Sequence, residues 1–289
     1  MAFYLMATTQ EEYFMNLPIA FEYSSEYFNV RDTLECGQIF RYKHLGGENY
    51  AVYSQDKYAE LETVGNKVIV KTLDADYFWR FFDLDTDYAT KVSQISAISP
   101  LMKEAAEFGK GIRILNQDLT EMIFSFIISA NNNIKRIQLI IDRLCNAIGG
   151  ETPFGHAFPT VEDMACQTVE FYTGIGAGYR DKYLLETAQM LLNYDLTSLD
   201  KLDSAAARKE LLNFMGIGPK VADCILLFGL RRGDVFPVDT WLKKVYHNYF
   251  EQGHKDTEIS RYFCQLFGEN AGLCQQYLFY FQRKYRQNA

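Results

Sequence analysis

The chain reads as an α+β protein: a small N-terminal domain built on an antiparallel sheet, residues 1–115, precedes an all-α domain, residues 116–289, with helices from both packing around a cleft. Three observations predict this. Residues 64–71, VGNKVIVK, alternate apolar and polar side chains with the period of a half-buried strand. Gly46 with Gly47, and Gly65 with Asn66, supply turn chemistry beside such strands. From Asp118 onward the apolar period lengthens to that of a helix and stays there.

Taken in order, Val52 and Tyr53 lie in a second alternating stretch, so the first part should hold a sheet with one or two helices. Asp118 stands as an N-cap with Glu121 three residues later, a capping-box pattern. Met122, Ile123, Phe126 and Ile127 then form a helical stripe, which Asn131, Asn132 and Asn133 break. Ile134, Ile137, Ile141, Leu144, Cys145 and Ile148 follow at helical spacing, and Gly149 with Gly150 stops that helix. Gly174, Gly176 and Gly178 mark a loop. Further helices are expected over 183–192, 205–215, 219–230 and 239–249, with two more flanking the stretch 268–272. There is no internal repeat or low-complexity segment, and everything after about residue 115 reads as one helical body.

Composition narrows the function classes. No apolar run is long enough to span a membrane, and the N-terminus lacks a basic region ahead of an apolar stretch, so an intracellular address is expected. Without a compact basic cluster, that address is the cytoplasm of a prokaryote, or the nucleus if the source is eukaryotic. Cys36, Cys145, Cys166, Cys224, Cys264 and Cys274 are scattered without CxxC spacing, and the four histidines are dispersed. Neither a disulfide framework, a metal nor another cofactor is expected. A net charge of −8 and a pI near 5.1 argue against nucleic-acid binding through a broad positive field, though not against a local anion site.

Such a site is written at residues 211–224, LLNFMGIGPKVADC. A helix should end near Met215. Gly216 and Gly218 permit backbone angles other residues avoid, Ile217 can plug the turn into the core, and Pro219 suits a first helical position. The result is helix, tight hairpin, helix, whose second helix presents unpaired N–H groups and its positive dipole end to one phosphate. Lys220 opens that helix and shares a face with Cys224, four residues on. The dipole there disfavours an ammonium and so favours the neutral amine that nucleophilic attack requires. Asp239, in FPVDTW, stands where another helix begins; it can cap that helix and still face a cationic transition state.

At these residues the chain resembles the helix-hairpin-helix (HhH-GPD) DNA glycosylase superfamily, and within it the 8-oxoguanine DNA glycosylase/AP lyase branch. CGQIFR at 36–41, SANNNIKR at 129–136, GAGYR at 176–180, KVADC at 220–224, PVD at 237–239, and Ala271 and Gly272 with Gln275 and Phe279 are similar to that branch's motifs, in the same order. Met215 departs from a frequent proline, Trp241 from a frequent histidine near a phosphate, and Lys135 from a frequent small residue.

The resemblance implies a TBP-like N-terminal sheet domain and a helix-hairpin-helix glycosylase body. It implies a monomer acting on double-stranded DNA that contains 8-oxoguanine opposite cytosine, with no membrane partner. Lys220 would attack the sugar C1′, and Asp239 would stabilise the developing positive charge. Gly37 would read the N7–H of the lesion, Cys224 and Phe279 would sandwich the flipped base, and Gln275 would bond its Watson–Crick edge. Asn131 and Tyr179 would fill or wedge the vacated stack, and Arg136 and Arg180 would read the orphaned cytosine. Gly216, Ile217 and Gly218 would form the phosphate-binding hairpin. Two other readings stand beside this one: a monofunctional glycosylase for another damaged base, which needs no amine at 220, and a non-catalytic hairpin module, which needs neither Asp239 nor a base pocket. Residue by residue, Phe279 and Cys224 also read as core, Asp239 as a plain cap and the asparagine triplet as a helix-ending turn.

Overall fold

The computed structural model describes residues 17–250 and 253–284. Five strands form an antiparallel sheet in the order β1–β5–β4–β3–β2: β1 (Ile19–Ser24), β2 (Tyr42–Gly46), β3 (Asn49–Ser54), β4 (Lys57–Val64) and β5 (Lys67–Thr72). The expected turns are present. Gly65 carries φ +60° between β4 and β5, and Gly46 and Gly47 both sit at positive φ between β2 and β3. Register pairs Tyr50 with Leu61 and Leu61 with Val70, so one face of three neighbouring strands is apolar. That face packs on α1 (Val30–Glu35) and α2 (Ala75–Phe81) through Phe28, Leu34, Phe78, Phe81 and Phe82.

Two more helices, α3 (Tyr88–Ser96) and α4 (Pro100–Phe108), close the N-terminal part. It therefore holds more helix than the alternation suggested. Capping sets their starts: Asp87 accepts from the N–H of Thr90, and Ser99 from that of Met102 with Pro100 behind it.

The remaining helices are α5 (Leu119–Ser129), α6 (Ile134–Ile148), α7 (Val161–Ala165), α8 (Val169–Gly174), α9 (Asp181–Leu191), α10 (Ser204–Leu211), α11 (Pro219–Phe228), α12 (Thr240–Tyr249), α13 (Ile259–Phe267) and α14 (Ala271–Lys284). They are not one body. Helices α5–α11 share a core around Phe126, Ile141, Leu184, Ile225 and Phe228. Helices α12–α14 instead join α3 and α4 around Ile95, Met102, Phe236, Phe263 and Tyr277. The chain thus returns at its C-terminal end to pack on N-terminal helices. A two-strand hairpin, β6 (Glu151–Thr152) and β7 (Gly155–His156), also interrupts the helical part and stacks Phe154 on Tyr58 at 4.4 Å, covering the sheet's second face. Strands of two residues are too short to leave an alternation in sequence.

Helix α5 corrects the capping-box expectation. Asp118 accepts from the N–H of Glu121 at 2.8 Å, but the Glu121 carboxylate does not reach back. It is buried against Arg41 (3.4 Å) and the N–H of Gln55 (3.1 Å), tying α5 to the sheet.

The segment 36–41 joins the three large cores. Cys36 belongs to the one that holds α12–α14, Ile39 to the sheet core, and Phe40 to the one around α5, where it meets Phe126 edge-on at 5.7 Å. Gln38 clamps the extended connector between α4 and α5: its Nε2 donates to the Arg113 carbonyl at 2.7 Å and its Oε1 accepts from the N–H of Leu115 at 2.9 Å. Arg113 is fully buried and donates to the carbonyls of Tyr27, Phe82, Asp83 and Thr86, with its guanidinium 4.0 Å from the centre of the Tyr88 ring.

Candidate active site

The hairpin between α10 and α11 forms as its residues predict, with one correction. Gly216 adopts φ +81°, and a Cβ there would stand 2.8 Å from Cβ of Tyr183, so both backbone and packing demand glycine. Gly218 does not use glycine's special angles. It is the extended N-cap of α11, φ −88° and ψ 177°, and offers no side chain to cap the helix. A Cβ at Gly218 would meet nothing within 4 Å, so that helix end faces open space. Ile217 is buried as expected. Met215, in place of proline, is held by Thr187, whose hydroxyl donates to the Met215 carbonyl at 2.7 Å. Arg208 of α10 pairs with buried Asp223 of α11 at 2.6 Å and locks the two arms together.

Lys220 begins α11, half-buried, with its amine 5.2 Å from the centre of the Phe126 ring, and its charge acts on the thiol of Cys224. Burial pushes the Cys224 thiol up to about 11, against the opposing pull of the neighbouring Lys220; it is a neutral thiol at pH 7. Asp239 acts on the same thiol through space, which places Lys220, Cys224 and Asp239 in one electrostatic neighbourhood. Asp239 caps α12 with a single oxygen: Oδ1 accepts from the N–H groups of Trp241 and Leu242, both at 2.9 Å. Its Oδ2 makes no bond among the described residues. Trp241 carries the Lys244 ammonium 4.9 Å from its ring centre.

Helix α14 carries Gly272, Gln275 and Phe279. Gly272 allows the approach, since a Cβ there would lie 2.3 Å from a methyl of Leu227 on α11. Gln275 is buried and its Oε1 has no hydrogen-bond partner among the described residues, an unusual state for a buried amide oxygen. Phe279 is half-buried and faces Gly37: a Cβ on Gly37 would be 3.5 Å from the ring and 3.7 Å from Ile134. Gly37 holds φ +97°. Its carbonyl accepts no hydrogen bond among the described residues, although Cys36 on one side and Gln38 on the other have carbonyls tied by side chains. Among the described residues two oxygen acceptors, the Gly37 carbonyl and Gln275 Oε1, thus stand without partners.

A second cluster lies at the Asn131 and Gly178 loops. Asn131 sits at φ +48° and is exposed, and Asn132 ties the turn to the Ile128 carbonyl at 3.1 Å. Asn133 caps α6 by accepting from the N–H of Arg136. Tyr179 is 54% exposed, with its hydroxyl donating to the Ala130 carbonyl at 3.0 Å. Arg136 is exposed, its Nη2 3.4 Å from the Gly176 carbonyl, and Lys135 beside it is exposed too. Arg180 departs from the expectation of a base-reading group. It is 3% exposed and its guanidinium donates to the carbonyls of Ala130, Asn131 and Ala177. It holds the loop that presents Asn131, because a buried guanidinium must find acceptors for its donors. Among the described residues no group of three His, Cys, Asp or Glu side chains could hold a metal, and no helix is long and apolar enough to cross a membrane.

Sequence reasoning missed Ile134 at the pocket wall, Gln276 and Arg283 on the back of α14, and Arg113. Each works through a contact with a segment far away in sequence, and a lone Arg or Gln announces no such partner.

Residues 20–123 match the family model of the 8-oxoguanine DNA glycosylase N-terminal domain, and residues 124–269 match that of HhH-GPD superfamily base excision DNA repair proteins. The fold is similar to the crystal structure of the Clostridium acetobutylicum 8-oxoguanine glycosylase/lyase in complex with double-stranded DNA containing cytosine opposite 8-oxoguanine. That likeness has TM-score 0.85 and 35% identity over 90% of this chain and 93% of that one. The N-glycosylase/DNA lyase of Saccharomyces cerevisiae is 34% identical over 200 residues, 63% of this chain and 52% of the yeast protein. A probable N-glycosylase/DNA lyase of Methanothermobacter thermautotrophicus is 32% identical over 61% of this chain and 64% of that protein. The chain thus matches somewhat over half the length of these curated relatives.

Proposed function

The chain belongs to the HhH-GPD superfamily of base-excision DNA repair proteins, in the branch carrying the 8-oxoguanine glycosylase N-terminal domain, and from that premise we propose that it excises 8-oxoguanine opposite cytosine and cleaves the resulting abasic strand. The carrying observation is the pair of unpartnered acceptors, the Gly37 carbonyl and Gln275 Oε1, in a chain that also sets Lys220 at the start of α11. An 8-oxoguanine presents an N7–H on one edge and N1–H and N2–H donors on its Watson–Crick edge. The Gly37 carbonyl suits the first and Gln275 Oε1 the second. Guanine offers a lone pair at N7, which would face the Gly37 carbonyl and leave it unpaired at a cost of about 1–3 kcal/mol.

The chemistry follows from placement. The flipped nucleotide lies with its base between Phe279 and Cys224 and its C1′ toward Lys220. The Lys220 amine, once it has given up its proton, forms a bond to C1′ as the bond to N9 breaks; that electron pair leaves with the base, which takes up a proton. Asp239 Oδ2 faces the sugar's developing positive charge. Ring opening and loss of the amine proton give a Schiff base, which acidifies C2′; loss of a C2′ proton then expels the 3′ phosphate. The α11 N-terminus, with Gly216 and Gly218 shaping it, holds a neighbouring backbone phosphate. A few such contacts suffice for a chain of net charge −8. Tyr179 wedges the stack, Asn131 fills the vacancy, and Arg136 reads the orphaned cytosine while Arg180 holds the loop. The chain acts as a monomer.

Single-turnover strand cleavage of 8-oxoguanine:cytosine, 8-oxoguanine:adenine and guanine:cytosine duplexes tests this reading. Cleavage of the first, weaker cleavage of the second and none of the third is expected; equal cleavage of the first and third would refute it. Arg136→Ala should reduce discrimination between opposite cytosine and adenine by roughly 1–3 kcal/mol, the scale of one specific base contact. An unchanged preference in the same assay would remove Arg136 from this role. Gly216→Ala should lower folding stability by roughly 1–3 kcal/mol, because the new Cβ is strained at this φ and collides with Tyr183. The urea midpoint reports the loss, and weaker binding of undamaged duplex should accompany it.

A further inference from the structure

Four consecutive carbonyls at 35–38 have different fates. Glu35 O accepts from Arg283 Nη2, Cys36 O accepts from Gln276 Nε2 (3.2 Å) and Arg283 Nη1 (3.5 Å), and Gln38 O accepts from Gln117 Nε2 (2.8 Å). The Gly37 carbonyl alone among them accepts nothing within the described residues. Its neighbours are pinned and it is presented.

Arg283 supplies two of these four bonds. Its planar fork spans two successive carbonyls, a geometry lysine cannot reproduce. Its guanidinium carbon also lies 5.3 Å from the centre of the Phe279 ring, and its Nη1 stands 3.1 Å from where a Cβ on Gly37 would be. One side chain therefore touches the backbone that aims the Gly37 carbonyl and the aromatic ring that would stack the base. Other tethers dock the same stretch of α14 without touching Phe279: Tyr280 donates to Asp32, and Lys284 pairs with Glu35 at 3.6 Å. Helix α14 thus keeps tethers to α1 that do not involve Arg283.

We propose that Arg283 is a positioning residue for base discrimination, fixing the Gly37 carbonyl against the Phe279 ring so that a purine with a hydrogen at N7 is preferred over one without. It touches no reacting atom, and Lys220 and Asp239 do not depend on it. The proposal rests on the reading of Gly37 given above.

The test compares wild type, Arg283→Gln and Arg283→Lys in two single-turnover assays: release of 8-oxoguanine from a duplex with cytosine opposite, and borohydride trapping on a preformed abasic site opposite cytosine. The abasic substrate has no base to read. The ratio of release to trapping should fall about tenfold or more in Arg283→Gln, the scale of losing charge-assisted hydrogen bonds. Arg283→Lys should lose most of the same ratio, because charge without the fork cannot hold both carbonyls. Preference in binding for the 8-oxoguanine duplex over the guanine duplex should shrink in parallel. If Arg283→Gln fails to fold, Arg283→Lys keeps the aliphatic stem and carries the test. Release and trapping falling together would make Arg283 a structural staple, and faster release would make it a plug over Phe279; either overturns the proposal, as does an unchanged ratio. Wild-type protein that releases no 8-oxoguanine would refute the reading of the site itself, whereas release that the variants match refutes only the role of Arg283.

Discussion

Lys220→Gln should lower single-turnover release of 8-oxoguanine by a factor on the order of a thousand or more, the usual scale for removing a nucleophile, while duplex binding stays within a few-fold. The substitution puts a slightly shorter, neutral polar side chain at a half-buried position and leaves α11 starting from the same backbone. An amide nitrogen is not nucleophilic, so no bond to C1′ can form. The partner thiol of Cys224 is not a substitute: it is buried and held neutral at pH 7. The proposed phosphate site and base pocket rest on other groups, which is why binding should survive. Release measured by denaturing electrophoresis after alkali, beside fluorescence anisotropy for binding, separates the two effects. Loss of both together would mean that Lys220 supports the fold of the hairpin instead of reacting.

Arg113→Met should cost about 3–5 kcal/mol of folding stability, the range for breaking a buried charged network from one side. Methionine has a comparable volume, so the loss would not come from a cavity. It would come from the carbonyls of Tyr27, Phe82, Asp83 and Thr86, which all accept from this guanidinium and would be left buried without a donor. The Arg113 carbonyl and the N–H of Leu115 also hold Gln38, next to Gly37, so the connector and the pocket should loosen together. The urea midpoint at fixed slope measures the stability loss. A change below about 1 kcal/mol would show that water or backbone rearrangement satisfies those carbonyls.

Much of the site was legible because it is local. The hairpin needs a glycine at positive φ, a buried plug and a proline at the start of a helix, all within a few residues of Lys220. Asp118, Asn133 and Asp239 cap helices through bonds spanning two or three positions, so their roles follow from neighbours in sequence. What the sequence hid is long-range. Nothing in the pattern of residues 240–284 says that these helices leave the preceding helical core and pack on α3 and α4. Glu121 has the spacing of a capping box, yet a buried Arg41 brought from the sheet competes for its carboxylate and wins. Arg180 matches a motif for reading a base, yet burial turns its donors to the Ala130 loop. Gly218 was expected to use angles that only glycine tolerates, but its value is the side chain it lacks, which leaves the helix end open. In each case a partner far along the chain, or open space, decides among options that local chemistry leaves equal.

The proposed reaction bonds the Lys220 amine to DNA at the lesion. Wild-type protein should be mixed with an 8-oxoguanine:cytosine duplex and with its guanine:cytosine counterpart, reduced with borohydride, digested and mapped by mass spectrometry. The expected result is a covalent adduct from the first duplex alone, located at Lys220. Base release from that duplex without an adduct, or an adduct on another residue, would contradict it.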